Sequence, residues 1–312
     1  RCRLVGSEMC IRDSYISMQK PSIPKGTRDF SPSEIRRRNF IFDIIKSKFQ
    51  KFGFSPIETP SIENLSTLTG KYGSEGDQLL FKILKRGAKF TKALENYSKE
   101  KAYDNSFSSE ALRYDLTVPF ARYIVQHQND ISFPFKRYQI QPVWRADRPQ
   151  RGRYREFYQC DADIVGTSSL NCEIELICLI SEVLNELNLS DHTIMINNRK
   201  ILSALIDHCN STAYFSKITV IIDKLDKIGV DNVIQELQES IPNKECSLLF
   251  KELFNVNYSD INTFSWLENK LENSDEGQKG LKELNHIVNL SKELGIHNLE
   301  FNISLARGLD YY

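Results

Sequence analysis

The spacing of apolar residues predicts a long helix near the start of the chain. Ser31–Glu34 has the sequence Ser-Pro-Ser-Glu, a capping box with proline at the first helical position. Behind it, apolar side chains recur at intervals typical of one helix face: Ile35, Phe42, Ile45, Phe49 and Phe52. Gly53 is expected to end this helix. Phe54–Pro60 then predicts an extended entry into a strand, because residues before proline favour β conformations.

Alternation in the middle of the chain predicts an antiparallel hairpin between Lys136–Arg145 and Tyr154–Val165. One face of the first strand is mainly polar and carries Arg137, Gln139, Gln141, Val143 and Arg145. One face of the returning strand carries Phe157, Gln159, Asp161 and Asp163. The connection Arg148–Arg153 contains the proline and glycine that are typical of turns.

The remaining segments differ in how clearly they are patterned. Residues 85–109 are polar and irregular, and we expect a loop or an irregular insertion there. Asn171–Leu187 has a helical period, Thr193–Asn197 predicts a short strand, and residues 199–294 are mainly helical. Apolar and polar residues alternate strictly along Leu299–Leu305, which predicts a half-buried strand.

Composition narrows the class of protein. A chain of 312 residues predicts about two domains. No run of about 18 apolar residues is present to span a bilayer. The seven cysteines are scattered without a C-x-x-C pair, so neither a disulfide framework nor a compact zinc site is indicated.

The net charge of zero conceals a basic concentration on the hairpin. Between Lys136 and Glu156 only Asp147 and Glu156 are acidic, against seven cations: Lys136, Arg137, Arg145, Arg148, Arg151, Arg153 and Arg155. Guanidinium groups bind phosphate in a bidentate fashion, so this cluster favours an anionic ligand. The alternative is a solvated basic surface. A face with an arginine, a glutamine and a carboxylate also suits a small zwitterion.

Two further segments carry candidate chemistry. Asp115 and Thr117 lie in an apolar context where an unpaired carboxylate would be costly; alternatively, Asp115 caps the following helix. The segment Ala306–Tyr312 combines a glycine, a cation and two phenols, or is simply the end of a strand. No P-loop is present, and no histidine lies near these segments, so a Ser-His or Cys-His nucleophile is poorly supported.

Several motifs together resemble the histidyl-tRNA synthetase family of class II aminoacyl-tRNA synthetases. Lys25–Phe30 is similar to its N-terminal signature, and Phe54–Glu63 resembles motif 1 at the dimer interface. Leu112–Arg122 resembles the first histidine-binding segment, and Phe135–Gly166 resembles motif 2. Leu305–Tyr312 resembles the second histidine-binding signature, which is very specific.

This resemblance implies an α+β fold: an antiparallel sheet flanked by helices and interrupted by a mainly helical insertion domain. The expected division is a non-native leader at 1–17, catalytic parts at 18–190 and 298–312, and the insertion at 191–297. Residues 1–17 resemble translated sequencing-adapter read-through, with Met18 as the native start; a genuine disordered tail is the alternative.

The resemblance also assigns histidine-binding roles. Asp115 and Thr117 would hold the α-ammonium group, and Gln159 the amino-acid backbone. Asp163 would bind the imidazole ring together with Tyr311 and Tyr312.

Three arginines would serve the nucleotide and the reaction. Arg145 would hold the α-phosphate of ATP and the histidine carboxylate, and Arg153 would assist with the triphosphate. Arg307 would be a second catalytic cation near the α-phosphate and the bound histidine. No protein side chains are identified as metal ligands; Mg²⁺ would arrive with ATP.

The implied activity is ligation of L-histidine to tRNA(His), through histidyl-adenylate, by a cytoplasmic homodimer with no membrane association. The family's third motif and anticodon-binding domain have no counterpart here, so we expect this 312-residue chain to be inactive, or nearly so, alone. One alternative is a non-catalytic, histidine-sensing paralogue of the synthetase. The other is an RNA-binding module that uses the basic hairpin without chemistry.

Overall fold

The fold is α+β, as the sequence predicts. The computed structural model describes residues 21–71, 73–100, 107–254 and 261–306. The expected leader at 1–17 and the residues Arg307, Tyr311 and Tyr312 lie outside these ranges. No helix within them is long and apolar enough to cross a membrane.

Small sheets and helices alternate in the N-terminal half. In chain order the elements are α1 (Pro32–Lys51), β1 (Ser55–Pro56), β2 (Ile62–Asn64), α2 (Leu65–Leu68), α3 (Gly73–Gln78), β3 (Lys82–Leu84), α4 (Ala88–Glu100), β4 (Ser108–Leu112), α5 (Thr117–His127), β5 (Phe135–Trp144), β6 (Glu156–Val165) and α6 (Asn171–Glu186).

The C-terminal half is mainly helical, as predicted. Its elements are β7 (Ile194–Ile196), α7 (Arg199–His208), a 3₁₀ turn (Thr212–Tyr214), α8 (Phe215–Ile222), α9 (Leu225–Ile228), α10 (Val230–Ser240), α11 (Lys244–Phe254), α12 (Ile261–Lys270), α13 (Asp275–Glu293) and β8 (Leu299–Phe301).

Helix α1 forms where the capping box predicts it. The Ser31 amide donates to Glu34 Oε2 at 2.7 Å, and the Glu34 amide donates to Ser31 Oγ at 3.4 Å. These reciprocal bonds satisfy two N–H groups that the helix itself cannot pair. At the other end Phe49 packs with Phe54 and Tyr138, which anchors α1 against the hairpin.

The predicted antiparallel hairpin is confirmed, but β5 begins and ends one residue earlier than predicted, and β6 begins at Glu156 rather than at Tyr154. Strands β5 and β6 are antiparallel over their full lengths, from Phe135 opposite Val165 to Trp144 opposite Glu156. Strand β1 adds to the other edge of β5 in parallel. A second sheet has the order β2-β4-β3, with both pairings antiparallel.

The expectation of a loop or irregular insertion at residues 85–109 is wrong. Helix α4 occupies Ala88–Glu100, and it is followed by strand β4. Its apolar side is short: Phe90 and Tyr97, two turns apart, both contact Phe107, with ring centroids 6.2 and 5.4 Å apart. Lysines interleave with this apolar side along the sequence, which hides the helical period.

The C-terminal helices share one large apolar core. Twenty-four buried residues contribute, from Ile201 in α7 to Ala306. Helix α13 lies close to α7 because Gly280 carries no side chain: a Cβ there would lie 2.9 Å from Ile201 Cγ1. The core includes Phe301 and Ile303 as well as the helices. The domain boundaries given above remain a prediction.

The last strand is shorter than alternation along Leu299–Leu305 predicts. Strand β8 pairs in parallel with β7 and ends at Phe301. Asn302 then turns the chain, because its side chain accepts from the Ser304 amide at 2.9 Å and its carbonyl accepts from the Leu305 amide at 3.1 Å. An asparagine that bonds the backbone two residues ahead is typical of a turn. Leu305 is consequently exposed.

Candidate active site

The polar face of the hairpin forms as one surface. Residues directly opposite each other on antiparallel strands point to the same side of the sheet. The register pairs Arg137 with Asp163, Gln139 with Asp161, Gln141 with Gln159, and Val143 with Phe157. The two predicted polar faces therefore form one continuous face.

The segment that carries Asp115 is fixed against the end of β5. The Trp144 amide donates to the carbonyl of Arg113 at 3.1 Å, and Arg145 Nε donates to the carbonyl of Tyr114 at 3.1 Å. These bonds position Asp115 and Thr117 beside the hairpin face. Thr117 is the first residue of α5.

Asp115 also serves the start of α5, as its alternative interpretation predicts. Its side chain is buried, at 7% exposure, and Oδ1 accepts from the Val118 amide at 3.1 Å. An acidic group at a helix N-terminus is favoured by the helix dipole. This bond is compatible with a second role for the carboxylate.

Arg145 is half-buried and held on several sides. Its guanidinium lies over the ring of Tyr114, 4.3 Å from the centroid, and near the ring of Phe157 at 5.2 Å. Together with its Nε bond to the Tyr114 carbonyl, this leaves a positioned cation at the mouth of the polar face. Such a fixed fork suits a phosphate or a carboxylate.

Gln159 presents a buried acceptor on this face. Its Oε1 has no hydrogen-bond partner within the described part of the chain. Buried polar atoms are normally paired, and an unpaired one needs an explanation. A bound ligand that donates to Oε1 would supply the missing partner.

Asp163 pairs with a buried cation that sequence reasoning did not assign to the site. Arg137 is fully buried, and its Nη2 lies 2.7 Å from Asp163 Oδ2 in an ion pair that lacks the alignment of a hydrogen bond. The signal was present, because the hairpin register places Arg137 directly opposite Asp163.

Asp161 interacts electrostatically with the other charged groups of the site. Burial raises the pKa of its carboxyl to about 6, and the cations Arg137 and Arg145 act against this rise. Asp163 and Asp115 raise the pKa of Asp161 further. Burial also raises the pKa of Asp163, while Arg137 lowers it. The site therefore contains opposite charges at close range in a partly dry environment.

A second buried arginine supports the site from behind. Arg113 is fully buried, and its Nη1 donates to the carbonyl of Thr59 at 2.6 Å and to Gln141 Oε1 at 3.1 Å. Gln139 Nε2 donates to Thr59 Oγ1 at 2.8 Å. This network joins the segment after β1 to the hairpin. Sequence reasoning did not predict it.

Arg153 does not join the cluster. It lies in the exposed connection between β5 and β6, and its Nε is 3.3 Å from Asp147 Oδ2. It can meet a ligand only at the edge of the site.

A metal centre has no support from the described ranges. No three His, Cys, Asp or Glu side chains within them are grouped so as to hold a metal ion. The mixed donors of the polar face instead fit a ligand with both an ammonium and an acidic group.

Comparisons with known proteins identify the family of this chain. The family profile described as histidyl-tRNA synthetase matches residues 26–312. A histidine–tRNA ligase of Christiangramia forsetii is 53% identical over 300 residues, covering 94% of this chain and 66% of that protein. A histidine–tRNA ligase of Flavobacterium johnsoniae is 49% identical over 316 residues, covering 94% of this chain and 66% of that protein.

Comparison with solved structures gives the same family. The crystal structure of histidyl-tRNA synthetase from Nostoc sp. PCC 7120 superposes with a TM-score of 0.75 at 30% identity, covering 93% of this chain and 63% of that one. The fold is thus that of a class II aminoacyl-tRNA synthetase. The chain belongs to the histidyl-tRNA synthetase family. It spans just under two thirds of the length of the curated relatives above.

Proposed function

We propose that the complete protein ligates L-histidine to tRNA(His) in two steps, of which the first consumes ATP. A histidine carboxylate oxygen attacks the α-phosphorus of ATP, the bond to the β-phosphate breaks, and histidyl-adenylate and pyrophosphate form. A hydroxyl of the terminal tRNA ribose then attacks the histidyl carbonyl, and AMP leaves. No protein nucleophile is required. Catalysis consists of positioning and charge stabilisation.

The observation that carries this proposal is the clustering of opposite charges on one buried sheet face. Asp115 and Thr117 bind the α-ammonium group, and Gln159 pairs with the amino-acid backbone through its buried Oε1. Asp163 accepts from the imidazole, with Tyr311 and Tyr312 from the C-terminal signature. The ammonium group and the imidazole ring of free histidine thereby have partners, and its carboxylate is left to Arg145.

Arginines serve the nucleotide. Arg145, fixed by Tyr114, holds the α-phosphate and the reacting carboxylate, and Arg307 adds a second cation there. Arg153 contacts the triphosphate from the exposed turn. Mg²⁺ comes as part of the ATP substrate, held by the phosphates, and supplies charge neutralisation when bound.

The exposed side of α1, the helix that precedes the motif 1 segment Phe54–Glu63, supports a homodimer. Phe40 is 63% exposed and Ile41 is 40% exposed. With Leu187 and Leu189 they line a groove of about 510 Å³. A second copy of the chain would bury this apolar surface. The cytoplasm, where tRNA and ATP are available, is the proposed location.

Calorimetry distinguishes this proposal from its alternatives. The protein for this test is the complete protein to which residues 1–312 belong, expressed at full length; we call it the completed protein. It should bind both histidine and ATP in isothermal titration. Binding of histidine without ATP would indicate a sensor, and binding of neither would indicate an RNA module. Either result would overturn the synthetase proposal.

A further inference from the structure

Arg137 is a buried cation for which substrate binding and phosphate chemistry have no direct use. It is 0% exposed and lies at the buried end of the polar face, directly opposite Asp163. Besides its ion pair with Asp163, Nη2 donates to the Leu116 carbonyl at 3.3 Å and Nη1 donates to Gln139 Oε1 at 3.4 Å. Its guanidinium stacks on Phe120, 4.3 Å from the ring centroid. Arg137 is therefore fixed in one orientation and out of reach of solvent.

The Asp163 side chain, in contrast, is 32% exposed. The ion pair thus joins a buried cation to a carboxylate that remains open to a ligand. A buried cation that served only packing would give no gain in stability, because apolar residues of similar volume often stabilise a core as well or better. This asymmetry indicates that Arg137 acts on Asp163.

The charged groups around the pair are mostly acidic. Asp161 faces the pair from β6, and Asp115 faces it from the segment before α5. The cation Arg145 lies near it at the end of β5. Without Arg137, three carboxylates would share one partly dry site with a single cation. Like charges so arranged favour the protonated, neutral form of at least one carboxyl.

We propose that Arg137 is a positioning residue for histidine selection, which holds Asp163 ionised and in one orientation so that it accepts a hydrogen bond from the neutral imidazole. This inference rests on the proposed function, in which Asp163 contacts the ring. The charge of Arg137 balances that of Asp163. An imidazolium ring would therefore gain little from the carboxylate and would meet a nearby cation.

The direction of the pH effect follows from the ion pair. Arg137 lowers the pKa of Asp163 against the rise that burial causes, so its removal leaves that pKa higher. At a given pH a larger fraction of the variant than of the wild type would then carry a protonated Asp163, which no longer accepts the ring N–H as an anion. Raising the pH ionises the carboxyl and restores the acceptor.

Steady-state pyrophosphate exchange on the completed protein tests this with Arg137→Gln. The KM for histidine should rise about 10- to 100-fold at pH 7, the range for losing a hydrogen bond to a charged group. The KM for ATP should change less than about threefold. The ratio of variant to wild-type histidine KM should fall steadily from pH 6.5 to pH 9. A ratio that does not vary with pH would overturn the proposal.

Two further variants separate positioning from a purely structural role. Arg137→Lys keeps the charge and loses the fork, so its histidine KM should rise while its ratio to wild type stays flat with pH. If Arg137→Gln does not fold, Arg137→Lys alone tests the proposal, and equal increases in the KM for histidine and the KM for ATP would contradict it.

Arg113→Met is the matched control, because Arg113 is a fully buried arginine without contact to Asp163. It should lower the melting temperature without a pH-dependent ratio, and the same pH-dependent ratio there would overturn the proposal.

Measurements on the wild-type completed protein distinguish a failure of the proposed function from a failure of the proposed role of Arg137. If it shows no histidine-dependent exchange, the proposed function fails. If it exchanges normally and the Arg137 variants match it at every pH, only the role of Arg137 fails.

Discussion

Replacing Arg145 by glutamine is expected to lower histidine-dependent pyrophosphate exchange by about 10²- to 10³-fold, the range for losing one preorganised charge-stabilising donor. Arg145 is the described cation that the fold fixes most firmly at the mouth of the polar face, through the Tyr114 carbonyl and two aromatic rings. Negative charge builds on the α-phosphate and its bound carboxylate in the transition state. The loss should therefore appear mainly in kcat.

Arg153→Gln is the matched control for this variant. Arg153 lies on the same hairpin but is exposed and pairs with Asp147, so its loss should cost far less. Ion pairs at exposed positions contribute about 0–1 kcal/mol. Exchange measured under saturating histidine and ATP compares the two variants, with thermal melting to confirm folding. If the exchange rate of Arg145→Gln is within a few-fold of the wild-type rate, Arg145 does not stabilise the transition state.

Replacing Asp163 by asparagine is expected to raise the KM for histidine about 10- to 100-fold and to leave the KM for ATP nearly unchanged. The carboxylate oxygen that faces the ligand accepts an N–H bond from imidazole, and an amide offers a weaker acceptor. The variant also leaves buried Arg137 without its anion. Breaking a fully buried pair on one side costs about 3–5 kcal/mol of stability, and the cost here should be lower because Asp163 is partly exposed.

The stability loss needs its own control. The double variant Arg137→Gln, Asp163→Asn removes both charges and should melt at a higher temperature than Asp163→Asn alone, while histidine binding stays weak. Initial rates at varied histidine and varied ATP give the two KM values. Equal increases in both would place Asp163 outside the imidazole pocket.

Local signals in the sequence predicted much of the fold. The capping box at Ser31–Glu34 placed α1, and strict alternation placed β5 and β6 with the correct common face. Helix α4 was missed because its few apolar contacts are to Phe107, which lies outside the helix. The end of β8 was misplaced because the side chain of Asn302 favours a turn that alternation alone cannot reveal.

Less of the site than of the fold could be predicted from the sequence. The hairpin face, with Gln159 and Asp163, follows from alternation, and the segment with Asp115 follows from its motif. The ion pair of Arg137 with Asp163 requires the exact strand register. The network of Arg113 depends on backbone carbonyls brought together by the tertiary fold. Arg307, Tyr311 and Tyr312 rest on the motif alone.

We propose that this chain carries the histidine-activating site of a synthetase. Exchange of labelled pyrophosphate into ATP by the completed protein, with each amino acid offered singly, tests this proposal. We expect exchange with histidine at a rate roughly 10⁴-fold or more above that with phenylalanine or glutamine, because a site built to bond a ring N–H rejects analogues that lack it. Exchange that does not depend on histidine, or no exchange by a folded protein, would overturn the proposal.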